Sequence, residues 1–122
     1  MPERTELVVS FLSEGRIKVL VDYHWGAEMV PADFVCDGTS IPRLGYAWEP
    51  PHGLFLWASV IHDYHYSYHI EMLADGSCSP ITRAEADRRF YQRLRELGIR
   101  SSKAWAAWIA VRLVGGLAWR AE

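Results

Sequence analysis

The sequence predicts an α+β fold: a small N-terminal antiparallel β-unit, a long ordered loop, and a three-helix core in the C-terminal two-thirds. Three observations carry this expectation. Two short runs before residue 24 are crowded with Val, Ile, Leu, Phe and Tyr, and Gly, Pro and Asp punctuate the stretch 33–53. Beyond it, apolar residues recur at helical spacing between recognisable cap residues.

The 122 residues suffice for one domain, 1–122, with a small but real core. A hydrophobic share of 50% with 13% aromatics excludes a disordered chain. A net charge of −2 and a pI near 6.2 give no global signal for a nucleic-acid partner. Cys36 and Cys78 are too few for a disulfide framework and fall in no zinc-finger spacing, so free thiols are expected. The start, MPERTELVVS, has neither the basic lead nor the apolar core of a secretory signal. The longest apolar stretch, Ala104 to Trp119, is interrupted by Arg112 and by Gly115-Gly116 and is short for a transmembrane segment. The expectation is a soluble protein made in the cytosol.

Each element follows from its own residues. Leu7 to Leu12 and Ile17 to Tyr23 flank the turn material Ser13-Glu14-Gly15-Arg16 and read as a β-hairpin. Met29-Val30-Pro31 starts a further short extended segment, which Pro31 confines to an edge or an end. His24, where the second strand runs out, reads as a surface residue. From Asp33 to Gly53 the chain is loop-like, with Asp37-Gly38 and Pro50-Pro51 marking sharp turns. A connection of about twenty residues in so small a domain is either functional or tied down by its own polar groups. Asp37, Thr39 and Ser40 have the chemistry to bind a cation, and equally to form Asx and Ser/Thr turns or cap the next helix.

Leu54 to Tyr68 is apolar or aromatic on nearly every side and free of Pro and Gly, the pattern of a buried helix. At about 100° per residue, His62 shares a stripe with Phe55, Ala58, Ser59, Tyr66 and His69. Asp63 points about a quarter-turn away. After a polar connection around Ala74-Asp75-Gly76-Ser77, Thr82-Arg83-Ala84-Glu85 forms a capping-box pattern that starts a helix near Arg83. That helix stops at Gly98, a residue suited to the left-handed cap. Its apolar stripe is Ala86, Phe90, Leu94 and Leu97, with Tyr91 at the margin, and Asp87 lies inside it. A carboxylate there is expensive to desolvate unless paired, so Asp87 needs a partner among His62, Tyr66 and Arg112. If the partner is His62, the carboxylate fixes the ring tautomer, as for a general base; if it is Tyr66 or Arg112, Asp87 ties helices together.

The outer side of this helix carries Arg83, Arg88, Arg89, Arg93 and Arg95, with Arg100 just beyond. It reads as a solvated face balanced by Glu85 and Glu96, without the aromatic-basic platform that nucleic acid requires. The last helix, from Ser101-Ser102 to Trp119, is apolar all round except at Arg112 and is expected as the core helix on which the other two pack. Arg112 then serves as an ion-pair or cation-π partner, and the tryptophans would also suit an interfacial membrane contact. His62, His65 and His69 have transition-metal ligand spacing, with Asp37, Asp63 or Asp87 able to join, and equally the spacing of polar tips on an aromatic helix.

Two resemblances follow from these residues. Val30-Pro31, Phe34, Asp37-Gly38-Thr39-Ser40-Ile41-Pro42-Arg43, His62-Asp63-Tyr64, Arg83-Ala84-Glu85-Ala86-Asp87 and Val111-Arg112 resemble, in order and spacing, domain-of-unknown-function family 1353, small proteins of tailed phages and prophages. The resemblance implies a phage or prophage origin and brings no activity. More locally, His62-Asp63-x-x-Tyr66 followed by Ala86-Asp87-x-x-Phe90 is similar to the core of phospholipase A2 enzymes, especially the disulfide-free viral and bacterial types. That resemblance implies His62 as the general base toward water, Asp87 as the acid that orients it, Tyr66 as the hydrogen-bond partner of Asp87, and Asp63 as a calcium ligand. The glycine-rich calcium loop of those enzymes has no clear counterpart upstream of His62. Calcium takes about six to eight oxygen ligands, so Asp37 or the carbonyls around Gly45 would have to complete the site; zinc is the next candidate.

The expectation is therefore one polar site between loop and helices that unites Asp37, His62, Asp63, Tyr66, Asp87 and Arg112, with Arg112, Thr39 and Ser40 in a structural or oxyanion-supporting role. The expected function is a phage-encoded hydrolase acting on a lipid or other ester. The alternative is a non-enzymatic virion or tail accessory protein that binds another phage or host protein and whose polar network is structural.

Overall fold

The computed structural model describes residues 4–13, 16–36, 54–116 and 119. In chain order they form β1 (Val9–Phe11), β2 (Ile17–Val19), β3 (Tyr23–Trp25), β4 (Glu28–Val30), β5 (Val35–Cys36), α1 (Leu54–Tyr68), β6 (Ile70–Leu73), β7 (Cys78–Pro80), α2 (Arg83–Glu96) and α3 (Ser101–Val114). Five strands precede the first of three helices and two more lie between the first and second; strands and helices together make the α+β arrangement expected from the sequence. Most of the expected long loop, including Asp37, Thr39 and Ser40, lies outside the described residues.

The N-terminal hairpin is present, with Phe11 opposite Ile17 and Val9 opposite Val19, and β5 pairs on the far side of β2. Its second strand ends earlier than the apolar run: Tyr23 instead opens β3, which pairs with β4 across a turn where Gly26 takes a positive φ of 60°. A second sheet has the order β3-β4-β6-β7. Its β6–β7 hairpin was not legible as strands, because Cys78-Ser79-Pro80 has no apolar alternation and the whole strand is exposed. The turn between them is made by Asp75, which accepts from the Ser77 backbone N–H at 2.9 Å and from its hydroxyl at 2.6 Å.

Helix α1 lies at the centre of the packing. One side meets the strands through Leu56, Val60, Ile61 and Tyr64 against Val19, Tyr23, Val30 and Phe34. Ala58, on another side, joins Phe90 and Leu94 of α2 and Ala104, Ala107 and Val111 of α3. The core helix is thus α1, and the expectation for α3 is corrected: only a narrow alanine-valine face of α3 is buried. An all-apolar sequence did not distinguish a helix packed on every side from one with an unpartnered outer face.

Helix α2 begins and ends as its caps predict. The Glu85 N–H donates to Thr82 Oγ1 at 3.1 Å, and Gly98 takes a φ of 88° just past the end. The capping box is only half made, since the Glu85 carboxylate accepts from Arg88 and Arg89, which hold it at about 2. The arginine face also departs from expectation: within α2, Arg93 is buried, Arg83 and Arg89 are half-buried, and Arg88 and Arg95 are exposed, as is Arg100 just beyond.

Candidate functional site

The site is built where α1, α2 and α3 meet. His62 and Tyr66 lie one turn apart on α1, and Asp87 and Phe90 lie one turn apart on α2. The His62 ring is held between Tyr66, at 4.4 Å between centroids, and Phe90, at 4.6 Å. Its Nε2 is 2.7 Å from Asp87 Oδ1, and the Tyr66 hydroxyl donates to the same oxygen at 2.6 Å. Arg112 of α3 donates from Nη1 to Asp87 Oδ2 at 2.9 Å. All three candidate partners of Asp87 are therefore engaged at once. The side chains of His62 and Asp87 are 0% exposed, and that of Arg112 is 33% exposed.

These contacts set the protonation states. Burial opposes ionisation of Asp87, but the hydrogen bonds from His62, Tyr66 and Arg112 outweigh it and hold the carboxyl below its ordinary range. Burial drives His62 down against the pull of Asp87, so the ring is neutral near pH 7. Burial, reinforced by Asp87, pushes the Tyr66 phenol above the usual tyrosine range. An ionised carboxylate only accepts, which places the single imidazole proton on Nε2 and leaves Nδ1 with a free lone pair. That Nδ1 is buried and has no hydrogen-bond partner among the described residues.

Arg83, expected on a solvated face, is a structural member of the site. Its Nε donates to the Tyr66 hydroxyl at 3.1 Å, and its Nη2 donates to the carbonyls of Val111 and Arg112 at 2.8 and 2.7 Å. Its position at the first residue of α2 could have suggested a side chain reaching back across neighbouring helices. Gly115 closes the other side of Tyr66: a Cβ there would stand 2.7 Å from the phenol oxygen.

A second buried cluster was also missed. His65, one turn from His62, bonds Glu28 of β4; Glu28 also bonds Arg93, with Arg89 at 3.7 Å. A glutamate at the head of a strand whose three residues are all buried was the available signal. His65 is thus no polar tip. His69, just past α1 in the left-handed region, presents Nε2 to the Trp119 carbonyl at 2.8 Å and stacks on that indole at 3.8 Å. The three histidines are therefore directed to three different partners and do not form the shared metal set that their spacing allowed. Asp63 is buried and engaged on α1, while Asp37, Thr39 and Ser40 lie outside the described residues. Among the described residues, no group of three or more His, Cys, Asp or Glu side chains could hold a metal ion.

A family model described as a protein of unknown function, DUF1353, matches residues 18–111. No curated protein and no solved structure matches the chain.

Proposed function

The chain belongs to the DUF1353 family, whose description names no activity, and we propose from the geometry of its buried site that it is a hydrolase in which His62 acts as general base on water. The observation that carries this reading is the buried Nδ1, without a hydrogen-bond partner among the described residues, of a neutral histidine whose other nitrogen is held by an ionised aspartate. Nδ1 takes a proton from water as the water oxygen adds to an ester carbonyl carbon. The alkoxide then leaves with that proton as the acid forms. Asp87 orients the ring and stabilises the transient imidazolium, and Tyr66 and Arg112 hold Asp87 ionised. Phospholipase A2 enzymes resemble this chain in the same residues, which makes a lipid ester the first substrate class to test. A divalent cation, calcium first and zinc next, would be held by Asp63 and Asp37. The proposed setting is a phage or prophage product, made in the host cytoplasm.

A second reading is favoured by the enclosure of the site. With His62 and Asp87 at 0% side-chain exposure, the network would fix the fold of a non-enzymatic virion or tail accessory protein.

His62→Gln separates the two, because the glutamine amide can still donate to Asp87 while offering no base. Nitrophenyl esters of short and long acyl chains would be assayed with Ca²⁺, Zn²⁺, Mg²⁺ and EDTA, beside thermal melts. The hydrolase reading expects activity that falls about 10²–10⁴-fold in His62→Gln with little change in Tm, and a metal-induced Tm rise lost in Asp63→Asn if a cation takes part. Absence of wild-type hydrolysis under every condition, with a large Tm loss in His62→Gln, would overturn it in favour of the structural network.

A further inference from the structure

Among the described residues, β1 is the end strand of its sheet, in the order β1-β2-β5. From Leu7 to Leu12 the chain reads LVVSFL, with no charged residue, no Pro and no Gly. Edge charges and prolines keep a sheet edge from pairing with a further strand, and this edge has neither. Its backbone is available as well. The Leu20 N–H donates to the Val8 carbonyl at 2.9 Å, and the Leu12 N–H donates to the Arg16 carbonyl at 2.7 Å, so the even-numbered residues bond β2. By the alternation of an antiparallel ladder, the N–H and C=O groups of Val9 and Phe11 point to the open edge.

The side chains select the occupant. Val9 and Phe11 share the face of Ile17 and Val19, where Phe11 is still 59% exposed; Val8, Ser10 and Leu12 lie on the other face. Val8-Val9-Ser10-Phe11-Leu12 reads the same by polarity in both directions. A second copy laid antiparallel along β1, with a two-fold axis at Ser10, therefore sets Val9 opposite Phe11, Val8 opposite Leu12, and Ser10 opposite Ser10. Each residue meets one of its own polarity, and Val9 and Phe11 exchange both hydrogen bonds on each side of the axis. Moving the axis by two residues, to Val8 or Leu12, sets Phe11 against Thr5 or Ser13 and loses the match. Charge does not oppose the pairing. The two Lys18 side chains, each held by its own Asp33 at 3.5 Å, stand three strand spacings apart, about 14 Å, and exposed charges are largely screened beyond about 8 Å at physiological salt.

We propose that this protein forms a two-fold dimer through β1, joining two three-stranded sheets into one of order β5-β2-β1-β1-β2-β5 and covering Phe11 of each copy with Val9 of the other. The proposal does not depend on hydrolysis at His62, which is no part of this sheet.

Sedimentation velocity from about 10 to 500 μM protein, the range in which a small interface associates, reads the dimer directly. Phe11→Lys puts a charge of the kind that protects natural edges at an exposed position; it is expected to weaken association at least about tenfold, and circular dichroism melts check that it is folded. Oxidised Ser10→Cys, in a Cys78→Ser background, is expected to give a cross-linked dimer, because non-hydrogen-bonded partners have Cα atoms about 4.5 Å apart, within disulfide reach. Lys18→Cys in the same background lies beyond that reach and is expected to stay uncross-linked. His62→Gln is expected to associate as wild type does, so a failed hydrolase reading leaves this one standing. A wild-type monomer at every concentration would overturn the proposal and leave the edge to a strand of another protein. A dimer that Phe11→Lys leaves at full strength, or that Ser10→Cys fails to cross-link, would overturn it in favour of a contact elsewhere on the molecule.

Discussion

At the scale of single residues, the Tyr66 hydroxyl is the tightest point of the site. It donates to Asp87 at 2.6 Å, accepts from Arg83 at 3.1 Å, and leaves no space for a Cβ on Gly115. Gly115→Ala must therefore displace both the phenol and the Val111 carbonyl, which stands 2.5 Å from the same added carbon. We expect a loss of about 1–3 kcal/mol, the usual scale of overpacking, measured by urea unfolding. Gly116→Ala meets nothing closer than Arg83 Nη1 at 3.6 Å and should be nearly neutral. In Tyr66→Phe the obstructing oxygen is gone, so adding Gly115→Ala to it should cost less than in the wild type. Strict additivity of the two changes would show that the phenol is not what the alanine meets.

At the scale of elements, the joints between helices are made by arginines whose sequence context looks the same but whose surroundings differ. Arg83 links α2 to the Tyr66 hydroxyl of α1 and to two carbonyls at the end of α3. Arg88, one turn along, pairs with Glu85 at the surface. Arg83→Met is expected to destabilise by about 1–3 kcal/mol, because charged hydrogen bonds to three acceptors are lost; Arg88→Met should cost under about 1 kcal/mol. Equal losses in chemical denaturation would refute the distinction. The same pair marks the limit of what could be read from the chain. The helix bounds of α1 and α2, the Thr82 cap, the Gly98 stop and the burial of Asp87 were legible, because periodicity and capping chemistry are local. Which arginine turns inward, whether α1 or α3 is central, and the pairing of His65 with Glu28 all depend on contacts distant in sequence. The β6–β7 hairpin was hidden for another reason: β6 has only four residues, the exposed β7 carries no apolar alternation, and their pairing rests on a turn. At the site, the convergence of His62, Tyr66, Asp87 and Arg112 was legible because a lone aspartate on an apolar stripe demands partners. The roles of Arg83 and Gly115 were not, since neither residue breaks a local pattern.

At the scale of the whole molecule, α1 carries two buried histidine-carboxylate pairs, one reaching α2 and the other reaching β4. Helices and strands are thus joined through polar contacts inside the core, and stability should follow pH accordingly. His62 is shifted downward from 6.5 in the folded protein, so below that value the unfolded chain binds a proton that the folded chain refuses. The unfolded state then holds more protons, and stability falls as the pH drops from about 6.5 toward the lower folded value, by at most about 1.4 kcal/mol per pH unit. Asp87 and Glu28 are also shifted downward, from 3.8 and 4.5. For both, burial works against ionisation and the hydrogen bonds and cations around them prevail, so their contribution is present above those values and lost as the pH falls through the folded ones. Urea unfolding across about pH 3 to 8 should give a plateau above about pH 7, a decline that sets in below 6.5, and a second contribution to it, from the carboxylates, below about 4. His62→Gln has no group to titrate at that position and should lack its share of the decline while keeping the contribution of the carboxylates. Parallel wild-type and variant curves throughout would mean that His62 takes up its proton as readily in the folded protein as in the unfolded chain, and the downward shift that burial imposes on the ring would be refuted.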